Sequence, residues 1–212
     1  DPKEYWLGLL GPDRVIDLRQ AGMVGDPWNY GAKPEEHPIE IARYRGVLEA
    51  VTKSAGWGAP LPPGEGRGLS VHRSFWSYVC AVARVKVGAD GAVSVPRVEV
   101  AIDAGMVANP ERVRAQMEGA TIMALGNTLY GEITFAKGRV TQSNYTDYHV
   151  ARMGDAPREI VVTIIPSDRP PGGVGEPGVP PIGAAICNAI FAATGKRIRT
   201  LPVGDQLKPT TS

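Results

Sequence analysis

The sequence predicts an α+β fold in which helices pack on mixed sheets, and two observations favour this class. The 212 residues, 43% of them hydrophobic, are enough to bury a substantial core. Stretches rich in Val and aromatic residues, typical of strands, lie at 69–103 and 158–166, whereas helical spacing of apolar residues occurs at 37–57, 109–130 and 180–195. These patterns follow one another without a regular βαβ repeat, which indicates α+β.

Composition and cysteine usage exclude several function classes. Lys and Arg number 23 against 22 acidic residues, so no net charge favours nucleic acid, an anionic membrane or an acidic partner. No apolar run approaches the roughly 20 residues of a membrane span. Cys80 and Cys187 lie singly within apolar runs, which argues against zinc, iron–sulfur clusters or disulfides and predicts buried free thiols.

The first third of the chain has the character of a connecting region. Gly, Pro and Trp occur irregularly over 1–36, and one helix is expected from the spacing of Ile41, Tyr44, Leu48 and Val51. The sequence opens at Asp1 without an initiator Met, which we interpret as a piece of a larger protein. We therefore expect a connecting segment with one helix over 1–65 and a main domain over 66–212.

The next part predicts strands. A hairpin or meander is expected over about Leu69–Val87 and Val93–Asp103, with Asp90-Gly91 in the connection. Neither alternating face of this stretch is purely apolar, which indicates a sheet covered on both sides. A short hairpin turning at Lys137-Gly138 and a buried strand ended by Pro166 complete the strands.

A helix begins at Asn109-Pro110, because Asn caps free N–H groups and Pro is tolerated in the first turn. Gly119 and Gly126 lie within it and weaken it by up to about 1 kcal/mol each relative to Ala. We expect another backbone or a ligand to approach closely there. One stripe is apolar: Val113, Met117, Ala120, Ala124 and Leu125.

The most informative stretch is "RPPGGVGEPGVPPIGAAICNAIFAATGKR", residues 169–197. Its helix starts near Pro180-Pro181, stops at Gly195 and is small or apolar nearly all round, so we expect it to be buried with its positive N-terminal pole. The glycines at 172, 173, 175 and 178 let backbone approach a flat or anionic ligand. Glu176, delivered to that pole, is a candidate general base.

From the residues alone, a second interpretation of Glu176 stays open. The carboxylate could simply complement the helix dipole from a solvated loop. Phosphate-loop patterns and nucleophile elbows are absent, and three histidines, His37, His72 and His149, are too scattered to predict a metal cluster. The dispersed basic residues carry no aromatic ladder for nucleic acid.

Four ordered motifs resemble one known family. They are "GRGLSVHRSFWSYVCAVARV", "VEVAIDAGMVANPERVRAQMEGA", "LYGEITFAKGRVTQSNYTDYHVARM" and "GVGEPGVPPIGAAICNAIFAATGKRIRTLP", covering about Gly66 to Pro202. They resemble the molybdenum-binding large subunits of the xanthine oxidase (molybdenum hydroxylase) family, in particular the isoquinoline 1-oxidoreductase beta subunit type. Under this resemblance the region 66–212 is the C-terminal part of a molybdopterin-binding domain, and "DPKEYWLGLLG" is similar to the inter-domain segment.

The resemblance implies roles for three residues. Glu176 matches the base beside molybdenum, which takes a proton during water-dependent hydroxylation of an aromatic N-heterocycle or aldehyde. Gln116 matches the glutamine that contacts the pterin, and Gly175 matches the backbone next to the catalytic Glu. The strand-like stretches at 71–79 and 143–153 are expected to wall the substrate pocket.

It also implies cofactors and partners. Molybdenum is expected on a pterin dithiolene rather than on protein ligands, with molybdopterin cytosine dinucleotide as the form. Iron–sulfur clusters are expected on a small [2Fe–2S] partner subunit that receives the electrons. The remaining partners are the N-terminal remainder of the large subunit and the small-molecule substrate.

Other cofactor-binding loops of the family are missing from these 212 residues, so the chain is expected to hold part of a site and to be inactive alone. Two rival functions stay open at this point. One is a non-catalytic scaffold or assembly domain of the same fold. The other is a small-molecule-binding α+β domain unrelated to molybdenum.

Overall fold

A computed structural model describes residues 1–20, 22–25 and 29–209. The described elements, in chain order, are α1 (Pro2–Leu10), β1 (Val15–Ile16), β2 (Ile39–Glu40), α2 (Ile41–Ser54), β3 (Glu65–Ser74), β4 (Ser77–Val87), β5 (Val93–Asp103), α3 (Pro110–Leu129), β6 (Phe135–Ala136), β7 (Arg139–Val140), β8 (Glu159–Ile164) and α4 (Val179–Thr194).

A four-stranded mixed sheet in the order β3-β4-β5-β8 is the centre of the fold. The first three strands form an antiparallel meander, and β8 pairs in parallel with β5. A parallel pair needs a crossover, and here α3 and the arm 131–158 supply it. The carboxyl ends of β5 and β8 therefore meet at one edge of the sheet, and the chain leaves β8 there to reach α4.

Helices cover both faces of this sheet, as its mixed alternation predicted. Alternate residues of β4 and β5 face α3 and α4, and the others face α1 and α2. The α3/α4 side is the larger core and includes Val79, Ala81, Val100, Ile102, Met117, Leu125, Ile182, Ile186 and Ile190. The α1/α2 side includes Val47, Leu48, Val51, Leu69, Tyr78, Cys80 and Val82.

Two glycines of β3 allow α4 to lie directly on the sheet. A β-carbon at Gly66 would meet backbone atoms of Ala189, Ala192 and Ala193, and one at Gly68 would lie 2.6 Å from the carbonyl carbon of Asn188. The Asn188 amide also donates to the carbonyl oxygen of Leu69 at 3.0 Å. The distance between α4 and β3 is thus set by the absence of side chains at Gly66 and Gly68. Because α4 is held this closely, the loop that leads into it has little freedom to move.

A buried ionic cluster ties the N-terminal region to the α2 face. The Arg43 guanidinium donates to both carboxylate oxygens of Asp103, at 2.6 and 2.8 Å, and stacks over the Tyr78 ring 4.4 Å from its centroid. Glu40 accepts from Arg169 at 2.5 Å and contributes its backbone N–H to the Tyr78 hydroxyl at 2.9 Å. These contacts hold α2 and β2 against the end of β5.

Several predicted boundaries are confirmed. The Asn109 side chain caps α3 by accepting from the Arg112 backbone N–H at 3.2 Å, and its five-residue apolar stripe is buried. The α4 helix stops at Gly195, which has φ 73° in the left-handed region. The small hairpin turns at Lys137-Gly138, where both φ angles are positive.

Other expectations are wrong in detail. The segment 1–65 contains two helices, because Pro2–Leu10 is also helical, with Asp1 capping the backbone N–H groups of Lys3 and Glu4. The expected hairpin or meander is confirmed as a meander, but the stretch 69–87 contributes two of its three strands, because the chain reverses at Phe75-Trp76. The β8 strand is only partly buried, because it lies at the edge of the sheet.

The glycine and cysteine predictions also need correction. A β-carbon at Gly119 would meet no described atom within 4 Å, so the expected close approach within the chain is absent there, whereas at Gly126 Ala151 would lie 3.4 Å away. Cys80 is a buried free thiol, and burial raises its pKa, but Cys187 is only half-buried. In the part of the chain that the structure describes, none of the helices has the length and apolar character needed to cross a bilayer.

Candidate functional site

The loop that carries Glu176 crosses the carboxyl edge of the sheet. The backbone N–H of Gly172 donates to the carbonyl oxygen of Ala104, just beyond β5, at 2.8 Å. The N–H of Gly173 donates to the carbonyl oxygen of Phe75, in the β3–β4 turn, at 2.7 Å. Ligands of sheets with parallel strands commonly bind outside their carboxyl ends, which makes this edge the natural place for a site.

Gln116 and Gly175 come together at this edge. A β-carbon on Gly175 would lie 3.8 Å from Nε2 of Gln116, which projects from the second turn of α3. Both residues are exposed, as is the adjacent Glu176. The structure therefore places the Gln116 amide beside the bare backbone of Gly175 in one open region, and Glu176 follows Gly175 directly in the chain.

The individual glycines of the loop have different roles from those expected. Gly172 and Gly173 approach protein, because β-carbons there would lie 2.5 Å from the Ser77 hydroxyl oxygen and 2.7 Å from the Phe75 β-carbon. Gly178 approaches α3, where a β-carbon would lie 2.8 Å from that of Ala120. Only Gly175 leaves its backbone open toward the region beside Gln116, so the expectation that all four glycines admit a ligand is wrong for three of them.

The surroundings of Glu176 also differ from the expectation that the N-terminus of α4 is buried around it. Its side chain is exposed within this chain, although Pro177 and Gly178 after it are buried. Its carbonyl oxygen accepts from the N–H of Val179 at 3.0 Å, and no side chain caps α4. The outer surface of α4 is only partly covered, with Ala184 exposed.

The remaining candidates do not form a second centre. Histidines and acidic residues give no group of three potential metal ligands among residues 1–20, 22–25 and 29–209. His72 is half-buried in β3, and burial lowers its pKa. His37 and His149 instead stack on aromatic rings, those of Trp76 and Tyr130, with centroids 4.3 Å apart in both pairs.

Sequence reasoning missed one element that touches the site loop, the two-residue turn Phe75-Trp76 between β3 and β4. Both residues have positive φ, 49° and 65°, where Gly, Asn or Asp is usual. Ser77, directly after the turn, is fully buried and donates its hydroxyl to the Gly173 carbonyl oxygen at 2.6 Å. Since aromatic residues carry no turn signal, nothing in the local sequence announces this contact.

Comparison with known proteins gives this region a family. The sequence family described as the molybdopterin cofactor-binding domain matches residues 40–157, which is more than half of the chain. The match runs from β2 to the end of the arm at 131–158. The chain belongs to this family. The resemblance to the molybdenum-binding large subunits of the xanthine oxidase family, and with it the α+β fold, is confirmed.

Individual relatives align with different lengths of the chain. A nicotinate dehydrogenase subunit of Pseudomonas putida is 33% identical over 96% of the chain, and the beta subunit of isoquinoline 1-oxidoreductase of Brevundimonas diminuta is 36% identical over 74%. The crystal structure of the aldehyde oxidoreductase from Desulfovibrio desulfuricans superposes on 63% of the chain with a TM-score of 0.57 and 25% identity.

The chain spans a small part of those relatives. It corresponds to 16% of the nicotinate dehydrogenase subunit, 20% of the isoquinoline oxidoreductase subunit and 16% of the aldehyde oxidoreductase chain. The family match contradicts the hypothesis of a binding domain unrelated to molybdenum.

The exposed edge has donor chemistry that fits part of a pterin pocket. A pterin presents ring and amino nitrogens and a carbonyl oxygen, and the Gln116 amide both donates and accepts hydrogen bonds. The bare backbone of Gly175 lets a flat ring come close without steric conflict.

Proposed function

We propose that this chain forms one wall of the molybdenum cofactor pocket in a molybdenum hydroxylase, an oxidoreductase that acts on an aromatic N-heterocycle or an aldehyde. Glu176 is the proposed base and Gln116 the proposed pterin contact. The observation that carries the proposal is the approach of Gln116 to Gly175, the residue before Glu176, at one open edge of a fold of this family. Relatives named for nicotinate, isoquinoline and aldehyde oxidation support the substrate class.

The bound cofactor would supply two-electron oxidation of a substrate C–H bond, with water as the source of the oxygen. That reaction releases two protons, and a carboxylate within hydrogen-bond reach can accept one of them. Glu176 is suited to this because its backbone is fixed on both sides, by Gly173 against the β3–β4 turn and by its own carbonyl oxygen against Val179. Its carboxylate would become desolvated when the remainder of the large subunit covers the exposed edge.

The form of the cofactor and the electron path belong to the same proposal. We expect molybdopterin cytosine dinucleotide, and a small [2Fe–2S] subunit that takes the two electrons. The two cysteines are consistent with clusters carried elsewhere, because Cys80 lies in the core and Cys187 on α4, with no further Cys in the sequence.

One observation favours a second candidate, a non-catalytic scaffold of the same fold. Glu176 and Gly175 are exposed in this chain, and residues that a scaffold no longer used could equally lie at the surface. The two candidates differ in whether the intact, partnered protein holds molybdenum.

The test is metal and nucleotide analysis of the large subunit purified from its native source with its associated chains. We expect close to one molybdenum and one released CMP per large subunit. A Gln116→Leu variant should lower the molybdenum content, whereas Gln20→Leu, on the exposed N-terminal segment, should leave it unchanged. An intact, partnered complex without molybdenum would establish the scaffold instead.

A further inference from the structure

The turn between β3 and β4 has an unusual backbone for its sequence. Ser74 pairs with Ser77, so Phe75 and Trp76 form a two-residue hairpin loop, and both have φ in the left-handed region. Side chains with a β-carbon avoid this region, and bulky ones avoid it most. Such conformations persist only where surrounding structure imposes them, and they concentrate at functional sites.

The surrounding structure here is the loop that carries Glu176. Gly173 exchanges two hydrogen bonds with the turn: its N–H donates to the Phe75 carbonyl oxygen at 2.7 Å, and its carbonyl oxygen accepts from the Ser77 hydroxyl at 2.6 Å. The missing β-carbons of Gly172 and Gly173 let the two backbones meet, because either β-carbon would overlap Ser77 or Phe75. The turn and the loop are therefore fastened together backbone to backbone.

The opposite side of the turn is held by the N-terminal segment. The Trp76 ring stacks on His37 at 4.3 Å between centroids with 14° between planes, and its indole N–H donates to Asn29 at 3.2 Å. Tyr30 contacts both turn residues, 4.9 Å from the Phe75 ring and 5.6 Å from the Trp76 ring. The aromatic side chains thus anchor the turn on one side while its backbone holds the loop on the other.

We propose that Ser77 and the Phe75-Trp76 turn are positioning elements that fix the base Glu176 relative to Gln116. The inference rests on the proposed role of Glu176 and adds the residues that set its place. Gly173 is fastened to the turn and Gly178 is seated against α3, so the short span between them has both ends fixed. Loss of the Ser77 hydroxyl would remove one of the two hydrogen bonds that hold the first end, while leaving Glu176 itself unchanged.

Ser77→Ala in the intact, cofactor-loaded complex tests this. We expect kcat to fall about 10- to 100-fold, because misplacing a reacting group by about 1 Å has an effect of that size. The KM and molybdenum content should stay within about twofold. Hydrogen exchange measured by mass spectrometry should be faster in the peptide covering residues 169–178.

Thr52→Ala is the matched control. It also removes a buried hydroxyl hydrogen bond, from Thr52 Oγ1 to the Leu48 carbonyl oxygen at 2.8 Å, but on α2 at the opposite face of the sheet. It should leave kcat and the exchange of 169–178 unchanged. If Ser77→Ala lowers stability as Thr52→Ala does, while the exchange of 169–178 and kcat per folded, molybdenum-loaded enzyme are both unaltered, Ser77 is only structural and the proposal is wrong.

The exchange measurement separates failure of this inference from failure of the proposed function. Faster exchange at 169–178 together with full activity would mean that Ser77 positions the loop but that Glu176 is not the base. Unchanged exchange would overturn the positioning role whatever the activity. Gly173→Ala is a second variant, because its β-carbon would lie 2.7 Å from that of Phe75, and it should produce the same fall in kcat.

Discussion

Replacing Gly68 with Ala tests how closely α4 is seated on the sheet. The added β-carbon would lie 2.6 Å from the Asn188 carbonyl carbon and closer still to backbone atoms of Ala185 and Ala189. Carbon atoms pack optimally at about 3.5–4.0 Å, so the helix would have to retreat by about 1 Å or more. No side chain can rotate away, because the opposing atoms are helix backbone.

The expected cost follows from overpacking. Inserted methyl groups in well-packed cores cost about 1–3 kcal/mol, and the rigid partner places this one at or above the upper end. For a domain of this size 1 kcal/mol corresponds to about 2–4 °C in Tm, so 3 kcal/mol predicts a decrease of about 6–12 °C. Thermal unfolding followed by circular dichroism measures it.

Gly46→Ala is the control for the chemical change itself. Gly46 lies within α2, where a β-carbon would meet no atom of the described residues within 4 Å. Ala is the better helix former by about 0.5–1 kcal/mol, so this variant should melt slightly higher than the wild type. If Gly68→Ala melted within about 2 °C of the wild type, α4 would not rest on β3 as described, and the fixed position of the site loop would lose its basis.

Three further predictions concern stability. Gly119→Ala should raise Tm by a few degrees, because α3 has open space there; a decrease would reveal a contact that the structure lacks. Arg43→Met should cost about 3–5 kcal/mol, measured by urea unfolding, because Asp103 would stay buried without its ion-pair partner, and a cost below 1 kcal/mol would contradict the buried cluster. Burial raises the pKa of Tyr44 from 10.0 to about 12, so its neutral form stabilises the fold below pH 10, and this contribution disappears as pH rises to 12. Tyr44→Phe should therefore lose less stability over that pH interval, and parallel pH profiles of the two proteins would argue against it.

The parts of the fold predicted from sequence are those fixed by local chemistry. Asn109-Pro110 begins a helix and Gly195 ends one, because N-capping and a left-handed C-terminal residue depend only on the residues at those positions. The small hairpin at Lys137-Gly138 is predicted for the same reason. Helix α4 is predicted from the helical spacing of its apolar residues. Its partial exposure is not, because it depends on how much of the helix surface α3 and the sheet cover.

The missed features depend on contacts between distant segments. Phe75-Trp76 lacks any local signal for a tight turn, and its backbone conformation is explained by contacts with distant segments, the loop at Gly172-Gly173 and the N-terminal residues Asn29, Tyr30 and His37. Gly119 suggested a close approach by its residue type alone, whereas its neighbourhood in the described chain is open. The roles expected of Gln116 and Gly175 came from the family resemblance, and their proximity became visible only in the fold, since neither residue signals the other through spacing.

The most direct test of the proposed function is the turnover of Glu176→Gln in the intact molybdenum-loaded complex. Gln keeps the shape of the side chain and removes the base, and loss of a general base lowers the rate by about 10²–10⁴. Glu49→Gln, an exposed residue of α2 on the other face of the sheet, is the control and should be fully active. The proposal predicts normal molybdenum content with kcat reduced at least 100-fold for Glu176→Gln, and a kcat within about threefold of wild type at normal molybdenum content would contradict it.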